Sequence, residues 1–81
     1  MPFPLFSEVI LTTQLPDEDL KAGDVGTVVE RHVVAGMEDG YSVEFFDMTG
    51  QTVAVTTVKA SLLRSPTQAD RPAARTMAVG R

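Results

Sequence analysis

The sequence predicts an all-β protein, and three observations carry that prediction. Short apolar runs rich in Val, Ile, Thr, Phe and Tyr recur along the first 64 positions, the composition of strands. Gly, Asp and Pro clusters interrupt them at the spacing of turns. No segment repeats apolar residues at i, i+3, i+4 and i+7 through three helical turns, so no amphipathic helix is expected. With 81 residues, the chain supports one domain.

The elements follow in order. Residues 1–5 (MPFPL) form a short apolar leader with two prolines. Residues 8–13 (EVILTT) read as the first strand. Residues 14–24 (QLPDEDLKAGD) read as a long acidic loop: Pro16 restricts the backbone, Asp17, Glu18 and Asp19 favour solvent, and Gly23 with Asp24 makes a turn. Leu15 and Leu20 are expected to tuck over the core, because a loop this long is unusual in a small domain. Residues 25–33 (VGTVVERHV) form the second strand, with Gly26 marking a bend or bulge. Residues 34–40 close a hairpin through Asp39-Gly40. Residues 41–46 (YSVEFF) alternate most clearly and form the third strand. Asp47 to Gly50 turns into the fourth, residues 51–58 (QTVAVTTV). Residues 59–62 make one 3₁₀ turn, and Leu63-Arg64 starts a short fifth strand.

Five short strands, one long first loop, tight hairpins and a single turn before the last strand match a small five-stranded SH3-like barrel. The barrel domain is expected over residues 1–65. Residues 66–81 are rich in Pro, Ala and Arg and poor in bulky apolar residues, so a disordered tail is expected there.

Composition narrows the chemistry. With no Cys and a single His, a disulfide framework and a thiolate zinc site are excluded. No cofactor and no metal are implied. No apolar run approaches the roughly 20 residues of a membrane span, and the N-terminus lacks the basic start of a signal peptide. The expected location is the cytoplasm, with no membrane partner. The net charge of −4 is uneven. Residues 1–65 carry four cations against ten carboxylates, net −6, and residues 66–81 carry Arg71, Arg75 and Arg81 against Asp70, net +2. An acidic body repels phosphate backbones, so nucleic acid is not its expected ligand.

The strings LFSEVILTT (5–13), LKAGDVGTVVE (20–30) and YSVEFFD (41–47) resemble the small bacterial proteins of domain-of-unknown-function family 4926. The resemblance covers residues 5–64. It implies an SH3-like barrel without an assigned activity. Toxin-like or nuclease-like genes beside some family members imply an immunity or antitoxin role. The segment 31–39 and the Pro/Arg tail depart from the family pattern. GDVGTVV also resembles the KOW element of ribosomal and transcription-factor barrels, without its basic residues. Gly23 and Gly26 are therefore read as structural glycines that let the chain turn and cross closely.

His32 shares a strand face with Glu30, a spacing that could poise a general base. A small barrel has no deep cleft, so an outward-facing surface pair is the expected reading and no catalytic residue is assigned. Asp17, Glu18 and Asp19 are adjacent rather than alternating and lack the Gly turn of a calcium loop. They read as a solvated loop that could face a basic protein. Without Trp, and with Tyr41 the only tyrosine, a groove for Pro-rich ligands has no aromatic floor.

Strand periodicity yields one candidate surface. If Tyr41, Val43 and Phe45 face inward, Phe46 faces outward. In the fourth strand, Val53, Val55 and Thr57 are expected inward, and Thr52, Ala54, Thr56 and Val58 outward. In the first, Val9 and Leu11 are expected inward and Ile10 outward. Ile10, Phe46, Ala54 and Val58 would then form an exposed apolar face, the mark of a protein interface, unless Phe3, Leu5 and Phe6 fold back over it. The expected function is non-enzymatic protein binding, to a separately encoded partner as an accessory or immunity-type protein, or to itself as a homo-oligomer. The alternative is a KOW-like barrel contacting nucleic acid through the basic tail.

Overall fold

The computed structural model describes residues 3–76. Its regular elements are β1 (Glu8–Leu11), β2 (Val25–His32), β3 (Gly40–Phe46), β4 (Thr52–Lys59) and β5 (Leu63–Arg64), with 3₁₀ turns at Pro16–Glu18 and Ala60–Leu62. No α-helix is present among the described residues. The strands form one antiparallel sheet in the order β4-β3-β2-β1-β5. β1 pairs with β2, β2 with β3 and β3 with β4, and β5 returns to lie beside β1. The expected barrel is not closed: β4 and β5 do not pair and remain the two edges of the sheet.

The inner face holds a single core. Val9 and Leu11 of β1, Val28 of β2, Tyr41, Val43 and Phe45 of β3, Val58 of β4, Leu63 of β5 and Leu20 of the first loop pack as one cluster. All five strands reach it, so the sheet curls around these side chains. Leu20 is buried and Leu15 packs against the cluster, the two joined by reciprocal backbone hydrogen bonds of 2.8 and 3.1 Å. The long loop is thereby a second wall of the core.

The leader closes the core at Tyr41. The Phe3 ring meets Tyr41 edge-on at 5.3 Å, and the Phe3 N–H donates to the Tyr41 hydroxyl at 3.1 Å. This satisfies the polar tip of a fully buried aromatic ring. The leader therefore lies on the core side, whereas covering the outer face was the alternative set out above. Phe6 continues the pairing beyond β1, donating to the Val28 carbonyl at 2.6 Å, and its ring is exposed.

Turn chemistry sets the register. Asp47 accepts from the backbone N–H of Thr49 (2.8 Å) and Gln51 (3.0 Å) and from the Thr49 hydroxyl, while Gly50 takes a φ of +90°. The turn between β2 and β3 tightens earlier than expected, at Val34 to Met37 with Gly36 at φ +80°. Gly40 belongs to β3. Gly26 faces Val9 and Phe45 across the sheet. A Cβ there would stand 2.5 Å from Val43 Cγ1 and 3.0 Å from the Glu44 carbonyl oxygen, so its role is close approach. Gly23, at φ +97°, makes the turn before β2.

Residues 65–76 contain no helix or strand. The segment is nonetheless tied to the body. Arg64 pairs with Asp70 at 2.7 Å, and Arg75 reaches Asp24 at 2.6 Å.

Candidate protein interface

Two of the four residues expected on the outer face lie on the core side, and a third lies on the outer side but is buried. Val58 is 2% exposed and belongs to the core. Ala54 packs against the core from the same side. The cause is the β3–β4 register. Residues directly opposite in an antiparallel pair share a face, and Tyr41, Val43 and Phe45 lie opposite Val58, Thr56 and Ala54. Val53 and Val55, expected inside, are turned out. Ile10 does lie on the outer side, but it is buried between its cross-strand neighbours Val25 and Arg64. Arg64 is fixed there by two hydrogen bonds to Asp70.

Phe46 keeps the outward position expected of it and is 41% exposed. The corrected phase gives it new neighbours. Val53 occupies the irregularity between the pairs Phe45–Ala54 and Phe46–Thr52 and is 51% exposed, and Val55 is 58% exposed. On the other side of β3, Val25 precedes Gly26, the partner of Phe45, and is 44% exposed. Val25, Phe46, Val53 and Val55 thus line the end of the outer face over three adjacent strands. Met48 stands exposed at the adjoining hairpin tip. Glu44, directly opposite Val55, and Thr52, directly opposite Phe46, are hydrogen-bonded to each other and place a polar pair between Phe46 and Val55.

The far end of the same face is polar. His32 Nε2 lies 2.7 Å from Ser42 Oγ, which lies 3.5 Å from Thr57 Oγ1. Glu30 Oε1 is 3.9 Å from the same His32 nitrogen. A nucleophilic serine needs its histidine oriented by an acid on the other ring nitrogen, beside a pocket holding oxyanion donors. Here Glu30 and Ser42 approach one nitrogen on an open sheet face. The arrangement is a cross-strand hydrogen-bond row. Ser42 is the member that sequence reasoning missed; its position opposite Glu30 depends on the irregularity in β2 at Val29.

The acidic loop divides in two. Asp17 and Glu18 are exposed in the first 3₁₀ turn and border a shallow depression of about 220 Å³ beside Thr56 and Thr57. Asp19, at φ +55°, instead offers its carbonyl to Arg75 Nη2 at 2.8 Å. The Asp24 carboxylate accepts from Arg75 Nε at 2.9 Å and Nη2 at 2.6 Å, and from the Lys21 N–H at 2.9 Å. The hydrogen bond from Arg75 holds the Asp24 carboxyl below its ordinary range, with the Lys21 N–H and the nearby cations adding to the shift against the cost of burial. A larger open groove of about 530 Å³ runs between the leader and β2, lined by Phe3, Pro4, Leu5, Val29, Glu30 and Arg31.

Among the described residues no group of three His, Asp or Glu side chains converges as a metal site. No helix among them is long and apolar enough to cross a membrane. A family model described as a domain of unknown function (DUF4926) matches residues 5–65. No curated protein and no solved structure matches the chain.

Proposed function

We propose that this protein, which belongs to the DUF4926 family, is a non-enzymatic binding module that engages another protein through the outer face of its sheet. The supporting observation is the exposed apolar patch of Val25, Phe46, Val53 and Val55. These residues are large and share one face of the sheet, with Thr52 and Glu44 between Phe46 and Val55, and exposed apolar groups among polar ones are expected of a contact surface. The finer form of the reading is an accessory or immunity-type partner of a separately encoded protein, with a cytoplasmic location. The acidic body favours a basic patch on that partner.

Nucleic acid contacted by the tail has less support. Arg64 and Arg75 are engaged by Asp70 and Asp24, and Arg71 donates to the carbonyls of Gln68 and Asp70. Counterion-releasing contacts need free cations, and these three are engaged; Arg81 lies outside the described residues.

The test compares tagged wild type with Phe46→Glu in affinity capture from lysate of the source, with solution mass measured alongside. A stoichiometric partner retained by the wild type and lost by the variant is the expected outcome. Unchanged capture together with unchanged self-association would refute the interface.

A further inference from the structure

The loop between β1 and β2 presents two oxygen acceptors that the loop itself holds in place. Leu15 and Leu20 bond reciprocally and Leu20 is buried in the core, which anchors Asp19 and Lys21 on either side of it. Asp19, at φ +55°, closes the first 3₁₀ turn, its N–H donating to the Pro16 carbonyl at 3.1 Å. Asp24 is clamped twice to Lys21. Its N–H donates to the Lys21 carbonyl at 3.0 Å, and its carboxylate accepts from the Lys21 N–H at 2.9 Å. The Asp24 carbonyl also accepts from the Leu11 N–H of β1 at 2.9 Å. The Asp24 carboxylate and the Asp19 carbonyl are thereby positioned by the body of the protein.

The group seated on them is a guanidinium. Arg75 donates to one carboxylate oxygen of Asp24 through Nε at 2.9 Å and to the other through Nη2 at 2.6 Å. The same Nη2 donates to the Asp19 carbonyl at 2.8 Å. Two donors fixed in one plane match the two oxygens of a carboxylate, and an ammonium has no such fork. Charge adds to the fit, since residues 14–24 carry Asp17, Glu18, Asp19 and Asp24 against Lys21, net −3. Arg75 itself sits on a segment, residues 71–76, that is exposed and contains no helix or strand. Among the described residues, the hydrogen bonds from 72–76 to the body are the three made by this guanidinium. The receptor side is fixed and the occupant is held by its side-chain tip. An arginine on another protein brings the same donors and adds the contacts of its own surface.

We propose that the Asp24 carboxylate and the Asp19 carbonyl form an arginine-binding site, filled by Arg75 in the chain alone and by an arginine of a partner protein when the tail is displaced. The site goes beyond the reading of the outer face as a contact surface and does not require it.

The test uses the full chain and, as probe, a peptide of residues 72–80 (PAARTMAVG), which contains one arginine. Binding is followed by NMR at the Lys21 and Asp24 backbone amides. The Arg75→Ala chain, its site vacated, is expected to bind the peptide with shifts at both amides. Wild type is expected to bind it several-fold more weakly, because its own tethered Arg75 competes at roughly millimolar effective concentration. The same peptide carrying Arg75→Lys is expected to bind the Arg75→Ala chain about tenfold more weakly, having lost one charged hydrogen bond of the fork. Asp24→Asn added to Arg75→Ala is expected to lose the binding; asparagine keeps an oxygen for the Lys21 N–H, so the turn stays. An Arg75→Ala chain whose amides do not shift would overturn the site. So would equal affinity for the arginine and lysine peptides, equal affinity of wild type and Arg75→Ala, or unchanged binding with Asp24→Asn. Should the Asp24→Asn chain lose its sheet signal in circular dichroism, the lysine peptide decides on the intact chain. Phe46→Glu separates the two proposals, since it is expected to leave peptide binding at this site unchanged.

Discussion

Replacing Val58 by Ala removes two methyl groups from a side chain that is 2% exposed and packed in the core cluster. At about 0.8 kcal/mol per buried methylene, the transfer loss is about 1.5 kcal/mol. Incomplete collapse around the vacated volume brings the expected cost to about 2–3 kcal/mol. A single small core of this kind holds roughly 3–5 kcal/mol of net stability. With a urea slope of about 1 kcal/mol/M for a small protein, the midpoint falls by about 2–3 M. Val55→Ala is the internal control. Val55 is 58% exposed, so its truncation is expected to stay within about 0.5 kcal/mol. Urea titration followed by far-ultraviolet circular dichroism measures both. Equal costs, or a larger cost at Val55, would show that β4 carries its opposite face inward and would refute the register argument.

Two further outcomes follow from the same packing and charge. Gly26→Ala places a Cβ 2.5 Å from Val43 Cγ1 and 3.0 Å from a backbone oxygen, so β2 must move, at a cost of about 1–3 kcal/mol read from thermal unfolding. A variant as stable as the wild type would show that β2 and β3 do not approach so closely. Asp24, hydrogen-bonded by Arg75, has a lowered folded-state pKa, so its contribution is present above the ordinary carboxylate value near pH 4 and is lost as pH falls through the lower folded value. Arg75→Ala is expected to raise the Asp24 pKa toward the ordinary value, as followed by NMR titration of its carboxyl. An unmoved titration would show that Arg75 does not hold Asp24 in solution.

The strands were legible because turn chemistry bracketed them. Asp47 with Gly50, and Gly23 before β2, are residue types whose preferred backbone geometry dictates a reversal. The β3 alternation of Tyr41, Val43 and Phe45 was legible because only one phase buries large residues. β4 carries Val53 and Val55 on one phase and Val58 on the other, so hydrophobicity alone favours the face with two valines. The face is decided by which residues lie opposite Tyr41 and Phe45, which depends on the hairpin and the irregularity at Val53. A local sequence pattern does not carry that register. Two other features were hidden for a related reason. The Arg75–Asp24 pair spans 51 positions, and the burial of Ile10 depends on where Arg64 is held.

The register that misplaces the sequence-based interface also strengthens the case for one. With Val58 inside, β4 contributes an apolar side chain to the core opposite Tyr41. In exchange Val53 and Val55 must be outside. Burying them instead would turn Val58 to solvent and bring Thr57 toward the core. The exposure of Val53 and Val55 is therefore a consequence of the register that buries Val58. Both lie on the outer face of β4. A partner meets the exposed Val53 and Val55 side chains there.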